Sequence, residues 1–273
     1  MVSLGHSTQQ PIRFASFLAP NMWPVYQFLT DTIGQQLGYP TELTTGTTFT
    51  QFAAGQTDVG FICGLPYVQL ARQVPPPVDL LAAPVLQGQR FGGKPVYFSD
   101  VIVRRDSPYQ SFADLRGCRW AYNDFDSHSG YNITRYHLVQ LGETQGYFGQ
   151  VIEGGAHPRS IRLVCDGQVD ASAIDCQVLA IELRDQPHLR EQLRVIDTLG
   201  PAAIQPVVAA RQLPDSLKSD LQGVLVTMHT DPSARERLAH GFVERFVAVT
   251  DPDYDDIRAM LAAAEAINFM TLI

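Results

Sequence analysis

No run of roughly 18 apolar residues occurs in the 273-residue chain, so no segment reads as membrane-spanning. Basic charge is scarce. Twenty lysines and arginines stand against 28 aspartates and glutamates, and the formal net charge is −8. Such a surface repels a polyanion and excludes nucleic acid as the main partner. It leaves small anions open, because a few local donors outweigh a distant net charge. Cysteine is limited to Cys63, Cys118, Cys165 and Cys176, with no C-x-x-C spacing, which excludes a zinc ribbon or a thioredoxin-type motif. Buried free thiols are the simpler reading of the four, with one or two disulfides as the alternative. The seven histidines form no H-E-x-x-H or H-x-H, and no metal site is expected. No cofactor motif is complete. Gly88–Lys94 fits G-x-x-x-x-G-K, but Pro95 stands where a magnesium-holding hydroxyl is needed and the next run reads as a strand. No G-x-S-x-G elbow exists.

What is present is the balance of a packed globular chain, 45% hydrophobic and 18% charged, long enough for two domains. The opening Met1–Gln10 is polar and carries no basic-then-apolar leader. That fits either a cytoplasmic protein or an exported one whose signal has been removed.

A weak internal repeat organises the chain. Gly55-Gln56-Thr57-Asp58 leads into the apolar Val59–Cys63, and Gly167-Gln168-Val169-Asp170 leads into Ala171–Cys176. Upstream, Arg13-Phe14-Ala15 and Arg119-Trp120-Ala121 each open an apolar run, and both pairs of matches lie ~110 residues apart. Each copy repeats one grammar. A strand (Ile12–Phe17; Cys118–Asn123) is followed by a loop and a helix (Tyr26–Leu37; Gly130–Leu141), then a second helix ending at the repeat glycine, then a compact strand. Alternating strands and helices predict parallel sheets, with ligands beyond the strands' carboxyl ends. That edge is predicted to hold Leu18–Asn21, Cys63–Leu65, Asp124–Ser129 and Asp175–Gln177. The run Tyr97–Arg104 is predicted to cross between lobes, and Val195–Val208, broken at Gly200-Pro201, to return. Two crossings make a hinge and a closing cleft. The C-terminal third is predicted to be helical, most clearly over Ala234–Val247 and Tyr254–Phe269.

Three places offer chemistry. Ser127, His128 and Ser129 sit at a strand-to-helix junction, where hydroxyls, backbone N–H groups and the helix dipole suit an anion, or where a serine simply caps the helix. His157-Pro158 opens another predicted helix, so His157 is an anion donor or a core histidine. Asp175 ends the second repeat strand, as Cys63 ends the region matching it in the first; its carboxylate receives a cation, orients a histidine, or caps a loop. Ser127, His157 and Asp175 lack the ordered spacing of a hydrolytic triad, so the chain is not read as an enzyme.

The segments Tyr97-Phe98-Ser99, Arg105-Asp106-Ser107-Pro108 and Phe112–Gly117, then Ser127-His128-Ser129-Gly130-Tyr131, Gly155-Ala156-His157 and Gly167–Asp175, resemble in order and spacing the phosphonate/phosphite/phosphate periplasmic binding proteins of ABC transporters. The resemblance covers roughly residues 12–215. It implies a class II periplasmic-binding-protein fold, with two α/β lobes, a two-stranded hinge and a ligand cleft. Lobe one would be 11–97 with 200–273, and lobe two 98–199. It also implies a monomer that captures a small oxyanion outside the cytoplasm, periplasmic or lipid-anchored and only peripheral to the membrane, for an ABC permease. The alternatives are a sensor feeding a histidine kinase and a cytoplasmic enzyme sharing the fold. By position, Tyr97, Ser127, His128, Ser129 and His157 would hold the oxyanion, with Asn21, Thr45 and Cys63 facing them from lobe one. The chain departs from the family at three places. Thr45 stands where a tyrosine is common and His128 where a threonine is usual. Beside Asp175 stand Gln177 and Gln205, where aminophosphonate binders place a second acid. These departures point away from a cationic aminophosphonate and toward phosphite, phosphate, methylphosphonate or an arsenic or selenium oxyanion. Cys63 leaves a thiophilic ligand open.

Overall fold

The computed structural model describes residues 10–272, so most of the polar opening segment lies outside the described residues. Eleven strands are described: β1 (Ile12–Ser16), β2 (Thr41–Thr45), β3 (Val59–Phe61), β4 (Val78–Leu86), β5 (Val96–Arg104), β6 (Arg119–Tyr122), β7 (Gln150–Glu153), β8 (Ala171–Asp175), β9 (Leu193–Ala203), β10 (Val207–Ala210) and β11 (Val243–Val247). They form two sheets, in the orders β11-β4-β10-β3-β1-β2 and β7-β6-β8-β5-β9. The internal repeat is visible here as geometry. In the first sheet β2, β1 and β3 run parallel and an antiparallel β10 flanks β3. In the second, β7, β6 and β8 run parallel and an antiparallel β5 flanks β8. Alternation alone predicted parallel sheets. Both are mixed, because β10 and β5 enter from the opposite lobe rather than through a helical crossover.

The repeated Arg and Asp do the same work in both copies. Arg13 opens β1, and its N–H, Nε and Nη2 donate to the Asp58 carboxylate at 2.9, 2.8 and 2.8 Å, while Asp58 N–H donates back to Arg13 O. Arg119 opens β6 and does the same with Asp170, at 2.8, 3.2 and 2.7 Å, and Asp170 N–H donates to Arg119 O. Each aspartate therefore sets the register of two neighbouring parallel strands through a bidentate charged pair and a backbone amide. Asp58→Ala and Asp170→Ala are each expected to cost about 1–2 kcal/mol, the lower end reflecting the half-exposed arginines. Urea unfolding midpoints that match the unaltered protein for both variants would rule this out.

The chain leaves the first sheet after β4 and returns after β9. The two passages lie side by side: Val96 pairs with Ala203, and Ile204 N–H donates to Pro95 O at 3.1 Å. This is a two-stranded hinge. At Gly200-Pro201 the pairing with β5 shifts register, but β9 runs on to Ala203, and the strand is interrupted at 204–206. The helix Trp23–Leu37 starts one turn before the apolar spacing predicted, with Pro24 in its first turn. The predicted helix Ala234–Val247 is wrong in its second half. A helix ends at Ala239, Gly241 and Phe242 turn the chain, Phe242 at φ 57°, and Val243–Val247 pairs antiparallel with β4 as an edge strand. A short apolar run with charged neighbours satisfies either period, and pairing with β4 decides it. The helix Asp255–Ala266 packs against both Gly64–Ala71 and Ile133–Gln140, so the C-terminus touches both lobes. All four cysteines are free, and three are buried. No described helix is long and apolar enough to cross a membrane.

Candidate functional site

A cavity of about 470 Å³ opens between the sheets. Its walls come from the segments that follow the carboxyl ends of the parallel strands, where such sheets gather ligands. Residues Ser16–Pro20 end and follow β1, Thr45–Phe49 end and follow β2, and Cys63 follows β3. From the other lobe come Asn123–Asp124 and Asp126–Ser127 after β6, Gly155–His157 after β7, and Asp175 at the end of β8. Gln205 contributes from the return passage.

The segment after β6 is built around one wide turn. Asn132 N–H donates to Ser127 O at 3.1 Å and Ile133 N–H to His128 O, both with i→i+5 spacing, before the regular helix Ile133–Gln140 begins. Such bulges recur at functional sites because they re-aim side chains. Ser127 Oγ accepts from Gly130 N–H at 3.1 Å and so caps this turn, while the residue still lines the cavity. At Gly130 the backbone comes close to Asn123, and a Cβ there would sit 1.9 Å from Asn123 Oδ1, so a larger residue would push that side chain aside. Ser129 Oγ lies 2.9 Å from His157 Nε2, joining two of the expected site residues. His157 is the first residue of the helix His157–Cys165, with Pro158 behind it. Its Nδ1 is buried and has no partner. The serine that meets His157 is therefore Ser129, not Ser127, and no carboxylate orients the ring, so the triad geometry is missing. Burial drives the imidazole down to about 3, which keeps it neutral.

Asp175 lines the cavity, but its oxygens are engaged. Oδ1 accepts from Gln177 and Val178 N–H at 2.8 and 3.2 Å, capping the helix Cys176–Asp185, and Oδ2 accepts from Gln205 Nε2. Burial raises this carboxyl to about 6 against the lowering effect of those donors. Cys63 occupies the equivalent cap of Gly64–Ala71; its sulfur accepts from His128 N–H at 3.3 Å across the cleft, and burial raises the thiol to about 11. Thr45 lines the opposite wall. Tyr97, His128 and Asn21 lie behind the wall rather than on it. Tyr97 and His128 are buried; Tyr97 Oη and His128 Nε2 have no partner, and the rings stand 6.3 Å apart. Burial pushes the Tyr97 hydroxyl well up and His128 down to about 3. Asn21 Nδ2 donates to Val178 O at 3.2 Å, tying the lobes together.

Two features escaped the sequence reading. Asn123, the residue after β6, points an unpartnered Oδ1 at the cavity edge. The Phe17 and Phe49 rings, 4.8 Å apart, form an apolar wall; the spacing of two aromatics 32 positions apart carries no local signal. No lysine or arginine lines the cavity among the described residues. Its polar lining includes hydroxyls, amides, a neutral imidazole and the carboxylates of Asp124, Asp126 and Asp175.

A family model described as the phosphonate periplasmic substrate-binding protein of ABC transporters matches residues 16–254. The chain resembles a binding-protein component of an ABC phosphonate transporter from Pseudomonas aeruginosa, at 19% identity and TM-score 0.80, over 92% of this chain and 85% of that one. It resembles PhnD1 from Prochlorococcus marinus, solved in complex with methylphosphonate, at 19% identity and TM-score 0.80, over 94% and 98%. A Xanthomonas citri protein solved bound to ATP shares the fold at 16% identity and TM-score 0.69, over 94% and 98%.

Proposed function

The chain belongs to the phosphonate-binding family of ABC-transporter periplasmic substrate-binding proteins, and from that premise we propose that its cleft clamps a small, neutral-tailed oxyanion such as methylphosphonate, phosphite or phosphate. The observation that carries this is the donor set. Ser127, Ser129 and His157 face Thr45–Thr48 across a cavity without a cationic side chain. Hydrogen bonds from neutral donors to a charged acceptor are about twice as strong as neutral pairs, so such a set holds an anion without a counter-charge.

The ligand's other end meets Asp175, whose two oxygens are already hydrogen-bonded, one of them by Gln205. An ammonium tail would compete with Gln205 for that oxygen. Asp124 and Asp126 also line the cleft; Asp124 is solvent-exposed, and partial burial and its neighbour Asp124 raise the Asp126 carboxyl. We take lobe one as 11–97 with 200–273 and lobe two as 98–199, hinged on the paired passages. The ligand bridges the lobes and favours closure through contacts made only in the closed state. The closed monomer then delivers it to the permease.

A thermal-shift series tests this. Methylphosphonate, phosphite or phosphate should raise the melting temperature by mass action, with about 2.7 kcal/mol of added stability at a hundredfold excess over Kd. 2-Aminoethylphosphonate should do less. No shift with any oxyanion would reject the reading, and a larger shift with the aminophosphonate would reject its neutral-tail part.

A further inference from the structure

Behind the cavity wall, His128 is held by a chain of side chains that decides where its proton sits. Arg135, on the helix Ile133–Gln140, is 3% exposed. A guanidinium can only donate hydrogen bonds. Its Nη1 donates to Phe269 O and Met270 O at 3.3 and 3.0 Å, and its Nη2 to Asn132 Oδ1 at 2.8 Å. The Asn132 oxygen is thereby fixed toward Arg135, and its amide nitrogen lies 3.1 Å from His128 Nδ1. An amide nitrogen also only donates, so Nδ1 must accept. The neutral ring then carries its hydrogen on Nε2, which is buried and has no acceptor.

We propose that Arg135 and Asn132 are positioning residues that lock His128 in the Nε2–H tautomer, keeping a buried N–H donor ready for an oxygen of the bound anion. The proposal rests on the oxyanion reading above. A buried donor without an acceptor is costly, and a native fold keeps one where something else completes it. Nε2 is closed off from the cavity in this structure, so the anion reaches it only if the wall between them shifts. Ser127 and Ser129, on either side of His128, line the cavity, and the His128 backbone N–H already reaches the cavity-lining Cys63. The lock also sets specificity. A hydroxyl at this position could donate or accept, whereas a locked N–H accepts no proton-bearing ligand oxygen as a donor and favours an unprotonated one.

The test uses the full chain labelled with ¹⁵N-histidine. Long-range ¹H–¹⁵N correlation spectra should show His128, assigned by its loss in His128→Gln, as the Nε2–H tautomer. Asn132→Asp is nearly isosteric and still accepts from Arg135, but it cannot donate to Nδ1. It should move the proton to Nδ1 and weaken methylphosphonate binding in calorimetry by about tenfold or more. Asn132→Leu removes both partners and should give a mixture of tautomers with an intermediate loss. An Nδ1–H tautomer in the unaltered protein overturns the lock. A shifted tautomer with unchanged affinity overturns the donor role. An unaltered protein that binds neither methylphosphonate nor phosphate overturns the oxyanion reading itself and the donor role with it, and the spectra still judge the lock separately.

Discussion

Replacing His157 by alanine is expected to weaken oxyanion capture by about 1–3 kcal/mol, roughly 5- to 150-fold in Kd, while the fold survives. The imidazole sits at the first position of the helix His157–Cys165 and lies 2.9 Å from Ser129 Oγ. Its removal deletes one donor and frees the hydroxyl that it orients. Ser129→Ala should lose a similar amount. The two changes together should lose less than their sum, because the residues share one contact. Ser127→Ala should also weaken binding, with some loss of stability from the missing cap to Gly130 N–H. Calorimetry with methylphosphonate or phosphate, alongside an unfolding curve for each variant, separates the two effects. Affinity unchanged in both His157→Ala and Ser129→Ala would remove this pair from the site.

Acid should destabilise the protein through the same histidines. His128 and His157 are held near 3 in the fold by burial, against an ordinary value of 6.5, so below about 6.5 the unfolded chain binds protons that the folded chain refuses. The stability that these neutral rings provide is complete above 6.5 and is lost progressively as pH falls toward 3. His137 is lowered in the same direction by burial. Asp175 works the other way. Its folded value of about 6 exceeds the unfolded ~3.9, so the folded state binds the extra proton and gains stability as pH falls from about 6 to about 4. The two histidines carry the larger shifts and set the net sign. The melting temperature should therefore fall between pH 7 and pH 5, and a His128→Gln, His157→Gln double variant should flatten that dependence. A melting temperature that is level or rising on acidification of the unaltered protein would contradict the burial of neutral rings.

Much of this architecture is local and was legible in residue order. The strand openings at Arg13 and Arg119, the helices ending at Leu37 and near Gly142, and the loops that reach the cleft follow from apolar period and turn residues. What a single stretch cannot show is its partner. Val243–Val247 becomes a strand because β4 offers an open edge, and the sheets are mixed because β5 and β10 arrive from across the hinge. The same limit applies to side chains. Asp175 was legible as a carboxylate at a strand end, but Gln205, 30 positions away, occupies it. Tyr97 and His128 were legible as site candidates, but packing places them behind the wall, where their unpartnered atoms gain meaning. Arg135 carried no signal at all, since its partners Phe269 and Met270 lie over 130 positions on.

By itself the order of residues determined that two copies of one strand–helix unit present loops to a shared cleft, because apolar period and turn residues depend on neighbours in the chain. Only the tertiary structure decided which polar groups in those loops remain free to hold a ligand. That depends on hydrogen-bond partners brought together from distant positions, and each buried donor or acceptor is available only if no such partner has claimed it.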